Sequence, residues 1–142
     1  SHAGLEPRQL ELELTETILM KDVEHTLQQL ERLRSLGFQV AIDDFGTGYS
    51  SLSYLTKFDI DTLKVDRSFV NNIGISEQSE LITKTIIKMA KSLNFSVCAE
   101  GVETREQAAF LLRNGCHALQ GFLYSKPTPL EDVLATSRRR AL

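Results

Sequence analysis

Hydrophobic and polar positions along this chain follow two rhythms. Leu10, Leu12 and Leu14 alternate with Glu11 and Glu13, the period-two pattern of a strand. Val23, Leu27, Leu30 and Leu33 follow near helical spacing as far as Gly37, a predicted C-cap. The pair then recurs. Residues 38–42 form a short apolar run that stops at Asp43-Asp44 and the loop Gly46-Thr47-Gly48; residues 50–58 are expected to make a short helix, and Thr62-Leu63-Lys64-Val65 reads as the next strand. Ser76 can cap a helix with Leu81, Ile82, Ile86, Met89 and Leu93 on one face, and residues 95–99 form a strand that ends at Glu100. Thr104 and Gln107 have capping-box spacing for a helix that Gly115 terminates, and a last short strand is expected over 117–120. Thr128-Pro129-Leu130-Glu131 joins an N-cap to a proline at the first helical position and a glutamate at the third. About five β-α repeats result, the mark of an α/β protein with a parallel sheet covered by helices, either open and doubly wound or part of a (β/α) barrel.

Composition narrows the picture. With 142 residues, 42% of them hydrophobic and 25% charged, the chain suits one domain or part of one. A net charge of -3 leaves no footprint for a nucleic-acid polymer, and Arg138-Arg139-Arg140 reads as a solvated helix end. No apolar stretch reaches the roughly 18–20 residues of a membrane span, and no signal pattern opens the chain, so a cytoplasmic segment without membrane contact is expected. Cys98 and Cys116 lack ligand or CxxC spacing and read as buried free thiols. His25 and His117 read as structural or exposed, and Tyr49 and Phe122 as packing residues.

The residues that interrupt the apolar pattern share one location, the C-terminal ends of the predicted strands: Glu13, Asp43 with Asp44, Lys64, Glu100 and Gln120. From Glu13 through Asp43, Lys64 and Glu100 to Gln120 the separations are 30, 21, 36 and 20 residues, one β-α unit each, so parallel strands would bring them all to one rim. Carboxylates gathered there repel, by about 4 kcal/mol for two charges 4 Å apart at an effective dielectric of ~20, and one lysine cannot balance four of them. Hard divalent cations, Mg²⁺ or Mn²⁺, would. Two such ions suit in-line attack of water on a phosphodiester. Lys64 would orient or deprotonate the water, or stabilise the phosphorane charge, and Gly46-Thr47-Gly48 reads as a loop of the active site.

Taken together, Glu13-Leu14-Thr15-Glu16, Asp43-Asp44-Phe45-Gly46-Thr47-Gly48-Tyr49-Ser50-Ser51, Lys64-Val65-Asp66, Glu100-Gly101-Val102-Glu103 and Gln120-Gly121-Phe122 resemble the successive signatures of the EAL family. The resemblance implies a TIM-type (β/α) barrel that opens cyclic di-GMP to linear pGpG with Mg²⁺ or Mn²⁺. It implies Glu13, Asp43 and Glu100 as metal ligands and Asp44 as a ligand of a second metal. Lys64 would act on the attacking water, Gln120 would support the water or phosphate, and Glu103 would support the site. The loop after the acid pair would take part in dimerisation and metal coupling, with Glu16 holding it.

The Glu-Ala-Leu motif that names the family does not occur in these residues, nor does the asparagine ligand that the family supplies ahead of Glu13. The resemblance therefore implies that residues 1–142 are the C-terminal portion of a single EAL domain, roughly three-fifths of it and about five units of an eight-stranded barrel, with the N-terminal units absent. Ser1-His2-Ala3 resembles a cleavage scar left by an expression tag. Two edges and an apolar flank are expected to stand open, so the isolated chain is expected to be inactive and to self-associate as a homodimer or larger species. Sensory or GGDEF domains would lie upstream in the parent, which could also be anchored to a membrane through them. The alternative is a non-catalytic cyclic di-GMP receptor or interaction module on a degenerate scaffold.

Overall fold

The computed structural model describes residues 4–48 and 55–133. Five strands, β1 (Glu11–Thr15), β2 (Gln39–Phe45), β3 (Thr62–Val65), β4 (Ser96–Ala99) and β5 (Ala118–Leu119), lie in the order β1-β2-β3-β4-β5, and every pair is parallel. A doubly wound sheet reverses direction at a switch point and so cannot keep sequence order across the sheet. Sequential order belongs to a sheet wound one way round, as in a barrel.

The helices are α1 (Glu16–Lys21), α2 (Val23–Ser35), α3 (Arg67–Val70), α4 (Glu77–Ser92) and α5 (Arg105–Arg113). Ser76 caps α4 through the Ser79 amide, and Thr104 with Gln107 closes a capping box on α5, as their spacing predicts. The sequence pattern begins a helix at Val23 and did not anticipate α1; the two helices break at Asp22, where the carboxylate caps the second by accepting from the His25 amide. The four-residue α3 was not anticipated; Asp66 caps it. Residues 130–133 are helical, as the Thr128-Pro129 signal predicts. The helix expected over 50–58 falls largely outside the described residues, as do Tyr49 and Arg138-Arg139-Arg140.

Register sorts the side chains into two faces. Ile42, Leu63 and Val97 are partners across three strands and each is wholly buried, packed with Leu19, Leu30, Ile87 and Leu111 from the helical layer. The alternate positions, Glu11, Glu13, Ala41, Asp43, Thr62, Lys64, Ser96 and Cys98, lie on the other face, because strand side chains alternate. That face is polar or small, so the apolar flank expected of an incomplete barrel is not found there. The apolar side of the sheet is the one its own helices cover. No helix among the described residues is long and apolar enough to cross a membrane.

The end of the sheet away from the acids is tied down by Arg34 of α2. Its guanidinium meets Asp59 at 2.5 Å and Asp61 at 2.6 Å, while Asp61 Oδ2 also accepts the Val40 amide at 2.8 Å. Both cysteines are free, and His117 is structural, its Nδ1 accepting the Val97 amide at 3.0 Å.

Candidate active site

Lys64 stands in the middle strand of the five, and its side chain is 5% exposed. Its Nζ lies 2.6 Å from Glu13 Oε1, 2.6 Å from Glu100 Oε1 and 3.4 Å from Asp43 Oδ1. Burial lowers the proton affinity of an amine, but the hydrogen bonds it donates to Glu100 and Glu13 and the charges of Glu100 and Asp43 outweigh it. The ammonium is thus held above the ordinary lysine value.

Asp43 and Asp44 fall inside β2, which runs three residues beyond the apolar run and ends at Phe45. Neighbours in a regular strand point to opposite faces, which would send Asp44 toward the apolar helical layer. The chain avoids this with a register shift between Ile42 and Phe45 and a left-handed Asp44, φ 54°. Aspartate tolerates that conformation better than most residues. The Asp44 amide donates to Asp43 Oδ1 at 3.0 Å, and ligand oxygens of Asp43, Asp44 and Glu100 all lie within 4.8 Å of one another. Burial raises the Asp44 carboxyl above its usual range, and repulsion from Asp43 and Asp66 adds to this. A set of hard oxygen donors with more negative charge than its lysine neutralises fits a divalent cation such as Mg²⁺, Mn²⁺ or Ca²⁺.

The loop after β2 rests on Glu16 at the start of α1. Glu16 is 3% exposed; its Oε2 accepts the Gly46 amide at 2.9 Å, and its Oε1 has no hydrogen-bond partner among the described residues. A Cβ at Gly48 would come within 2.9 Å of Oε1, and one at Gly46, where φ is 98°, within 2.8 Å of the Phe69 ring. Both glycines are therefore required by close approach, one to the carboxylate and one to α3.

The family model of the EAL domain matches residues 1–127. This chain belongs to the EAL domain family. The EAL chain is 53% identical over 128 residues to the cyclic di-GMP phosphodiesterase NbdA of Pseudomonas aeruginosa, an alignment covering 90% of this chain and 16% of that protein. Its fold is similar to that of the PaMucR phosphodiesterase in complex with c-di-GMP, with a TM-score of 0.90 and 44% identity over 93% of this chain and 53% of that one. It is also similar to Klebsiella pneumoniae BlrP1 in a manganese and cyclic di-GMP complex, with a TM-score of 0.82 and 42% identity over 89% of this chain and 32% of that one; a calcium complex of BlrP1 matches equally. The chain spans about a fifth or less of the length of the curated relatives it matches. Its five parallel units are part of an EAL TIM-type barrel.

Within this EAL fold the strand-end residues gather in two groups. Glu13, Asp43, Asp44, Lys64 and Glu100 meet around the lysine and the acid cluster. Gln120 and Glu103 line a neighbouring cavity that Glu100 also borders, and no hydrogen bond links either of them to Lys64 among the described residues. The Gln120 backbone continues the ladder past β5, donating to Ala99 and accepting from Val102. Glu103 is exposed on the turn before α5. Asp66 was quoted only as part of a signature, yet its carboxyl reaches that of Asp44 and caps α3 through Ser68. Its signal was the Asp-x-Ser spacing two residues after Lys64.

Proposed function

We propose that this chain supplies the metal-binding and water-positioning part of a phosphodiesterase that hydrolyses cyclic di-GMP to linear pGpG. The observation that carries the reading is the convergence of Asp43, Asp44 and Glu100 within 4.8 Å, beside a buried lysine that pairs with Glu100, Glu13 and Asp43. Glu13, Asp43 and Glu100 would hold one ion and Asp44 a second. Two bound cations, Mg²⁺ or Mn²⁺, would activate the water and stabilise the attacking and leaving oxygens of an in-line displacement. Lys64 holds the oxygens of Glu13 and Glu100 in place and presents a fixed positive donor to the developing phosphorane charge. Glu16 fixes the 46–48 loop and with it the end of β2. Gln120 and Glu103 edge the space beside Glu100, where they would steady substrate. A non-catalytic receptor would not need the whole set of acids with its lysine, and no observation favours that reading.

The same residues, taken as the C-terminal portion of the domain, would lack the Glu-Ala-Leu glutamate and the asparagine ligand. In isolation the 142-residue chain should therefore show negligible turnover and should self-associate, since β1 and β5 each pair on one side only among the described residues. The test is hydrolysis of cyclic di-GMP by the whole protein and by the isolated chain, in Mn²⁺ and in excess chelator, with sedimentation of the isolated chain. Turnover by the whole protein that survives the chelator rules out the metal reading, and an active monomeric chain rules out the dependence on further segments.

A further inference from the structure

At the end of the sheet away from the acids, a cavity of about 260 Å³ is lined by Lys91, Asn94, Phe95, Ser96 and His117. Backbone geometry shapes it. Asn94 follows the last turn of α4 with φ 61°, a left-handed position that asparagine tolerates. Gly115 follows α5 with φ 88°, and a Cβ there would lie 2.5 Å from Lys91 Nζ, so any side chain would displace the ammonium. The His117 ring is oriented by its Nδ1, which accepts the Val97 amide at 3.0 Å. A ring nitrogen that accepts carries no hydrogen, so Nε2 bears it and is left as a donor.

The polar part of this wall consists of donors and one positive charge. The Lys91 ammonium, the Ser96 hydroxyl, the Asn94 side-chain amide and His117 Nε2 have no hydrogen-bond or ion-pair partner among the described residues, and no carboxylate lines the cavity. Asp61 meets Ser96 only through its carbonyl oxygen, which accepts the Ser96 amide; its carboxylate is taken up by Arg34 and the Val40 amide. A metal cation would meet the ammonium, and an apolar ligand would leave four polar groups without partners. An oxyanion accepts from ammonium, imidazole, amide and hydroxyl at once, and a phosphate group has the oxygens to share among them.

We propose that Lys91, Asn94, Ser96 and His117 form a binding site for a phosphate group, either the free ion or one carried by a nucleotide. The site lies at the opposite end of β4 from Glu100, so it goes beyond the phosphodiesterase reading and does not depend on it. The test titrates inorganic phosphate into the whole protein at pH 8, where the ion is a dianion, and follows its ³¹P line width. Excess chelator removes any metal that would hold the ion at the acid cluster. Saturable broadening is expected in the wild type. Phosphate affinity should fall roughly tenfold in Lys91→Met and several-fold in Ser96→Ala, two variants that leave the bond between Val97 and His117 intact. Guanosine 5′-monophosphate then separates the sources: narrowing of the phosphate line at concentrations below that of the ion assigns the site to a nucleotide's phosphate, and an unchanged line assigns it to the free ion. Absence of saturable broadening in the wild type, or equal phosphate affinity in the wild type and both variants, overturns the site.

Discussion

Lys64 and Glu100 meet at 2.6 Å on neighbouring strands, and the lysine shares its ammonium with Glu13 at the same distance. Removing the lysine leaves two half-buried acids, Asp43 and Glu100, beside the more exposed Glu13 without a counter-charge. Lys64→Ala should lower metal-free stability by about 2–3 kcal/mol, below the figure for a fully buried pair because Glu13 is half exposed. Denaturant melts of wild type and variant in chelator measure it. Turnover of the whole protein should fall with little loss of Mn²⁺ affinity, and a large loss of affinity would mean that the hold of Lys64 on Glu13 and Glu100 matters more to the metal than its positive donor does to the reaction.

Asp44 is stabilised by little in the absence of a cation, since Asp43 and Asp66 both face it. Asp44→Asn keeps a residue that tolerates φ 54° and removes the repulsion. Metal-free stability is expected to rise by about 1 kcal/mol, the usual gain when a functional site gives up an unfavourable charge, while Mn²⁺ affinity falls. Thermal melts with and without Mn²⁺ should show the two curves crossing. A variant less stable in chelator would mean that the Asp44–Asp66 contact is favourable as it stands.

The tether between Glu16 and Gly46 predicts a local effect. Glu16→Ala removes the acceptor of the Gly46 amide, so hydrogen exchange at Gly46 and Thr47 should quicken while the central strands stay protected. Gly48→Ala should act on the same loop through the carboxylate it would crowd, and both variants should lower turnover without unfolding the chain. Unchanged exchange at Gly46 in Glu16→Ala would remove the tether from the account.

Cys116 gives the pH dependence. Its thiol is buried, and desolvation with the neighbouring Cys98 pushes it up to about 11 from an ordinary 9.0. The folded state holds this proton more tightly than the unfolded state does. Its contribution is therefore complete below pH 9 and is lost between about pH 9 and 11, a fall of about 2–3 kcal/mol at ~1.4 kcal/mol per pKa unit. Denaturant unfolding at pH 8 and at pH 11, for wild type and Cys116→Ala, isolates the loss. Equal pH slopes in the two proteins would assign it elsewhere.

Features set by short-range chemistry were readable in the sequence. Thr62 to Val65 is the strand that its pattern predicts, and Ser76, Thr104 and Gln107 cap the helices that they announce, because a cap needs only its own next turn. The rim was readable for a similar reason, since one acid or lysine per unit repeats at the spacing of the fold. The end of β2 was not, because two acids after an apolar run look like the start of a loop, and it is the pairing of Asp43 with Thr15 of β1 and of Phe45 with Val65 of β3 that keeps them in the sheet. The contact of Asp66 with Asp44 was also out of reach. The Asp-x-Ser spacing marks a helix cap, but no local spacing encodes which side chains separate units bring together.

The register shift in β2 makes chain length, as much as residue type, a determinant of this site. In an unshifted strand a carboxylate at position 44 would be carried toward the side where Leu63 and Val97 lie, and only one of the adjacent acids would reach the cluster. Loss of one residue between Gly37 and Ile42 would move Asp44 into the place of Asp43, carry Asp43 to the apolar face and bring Ile42 onto the polar face while keeping every functional side chain in the sequence. The site would then be present in composition and absent in space.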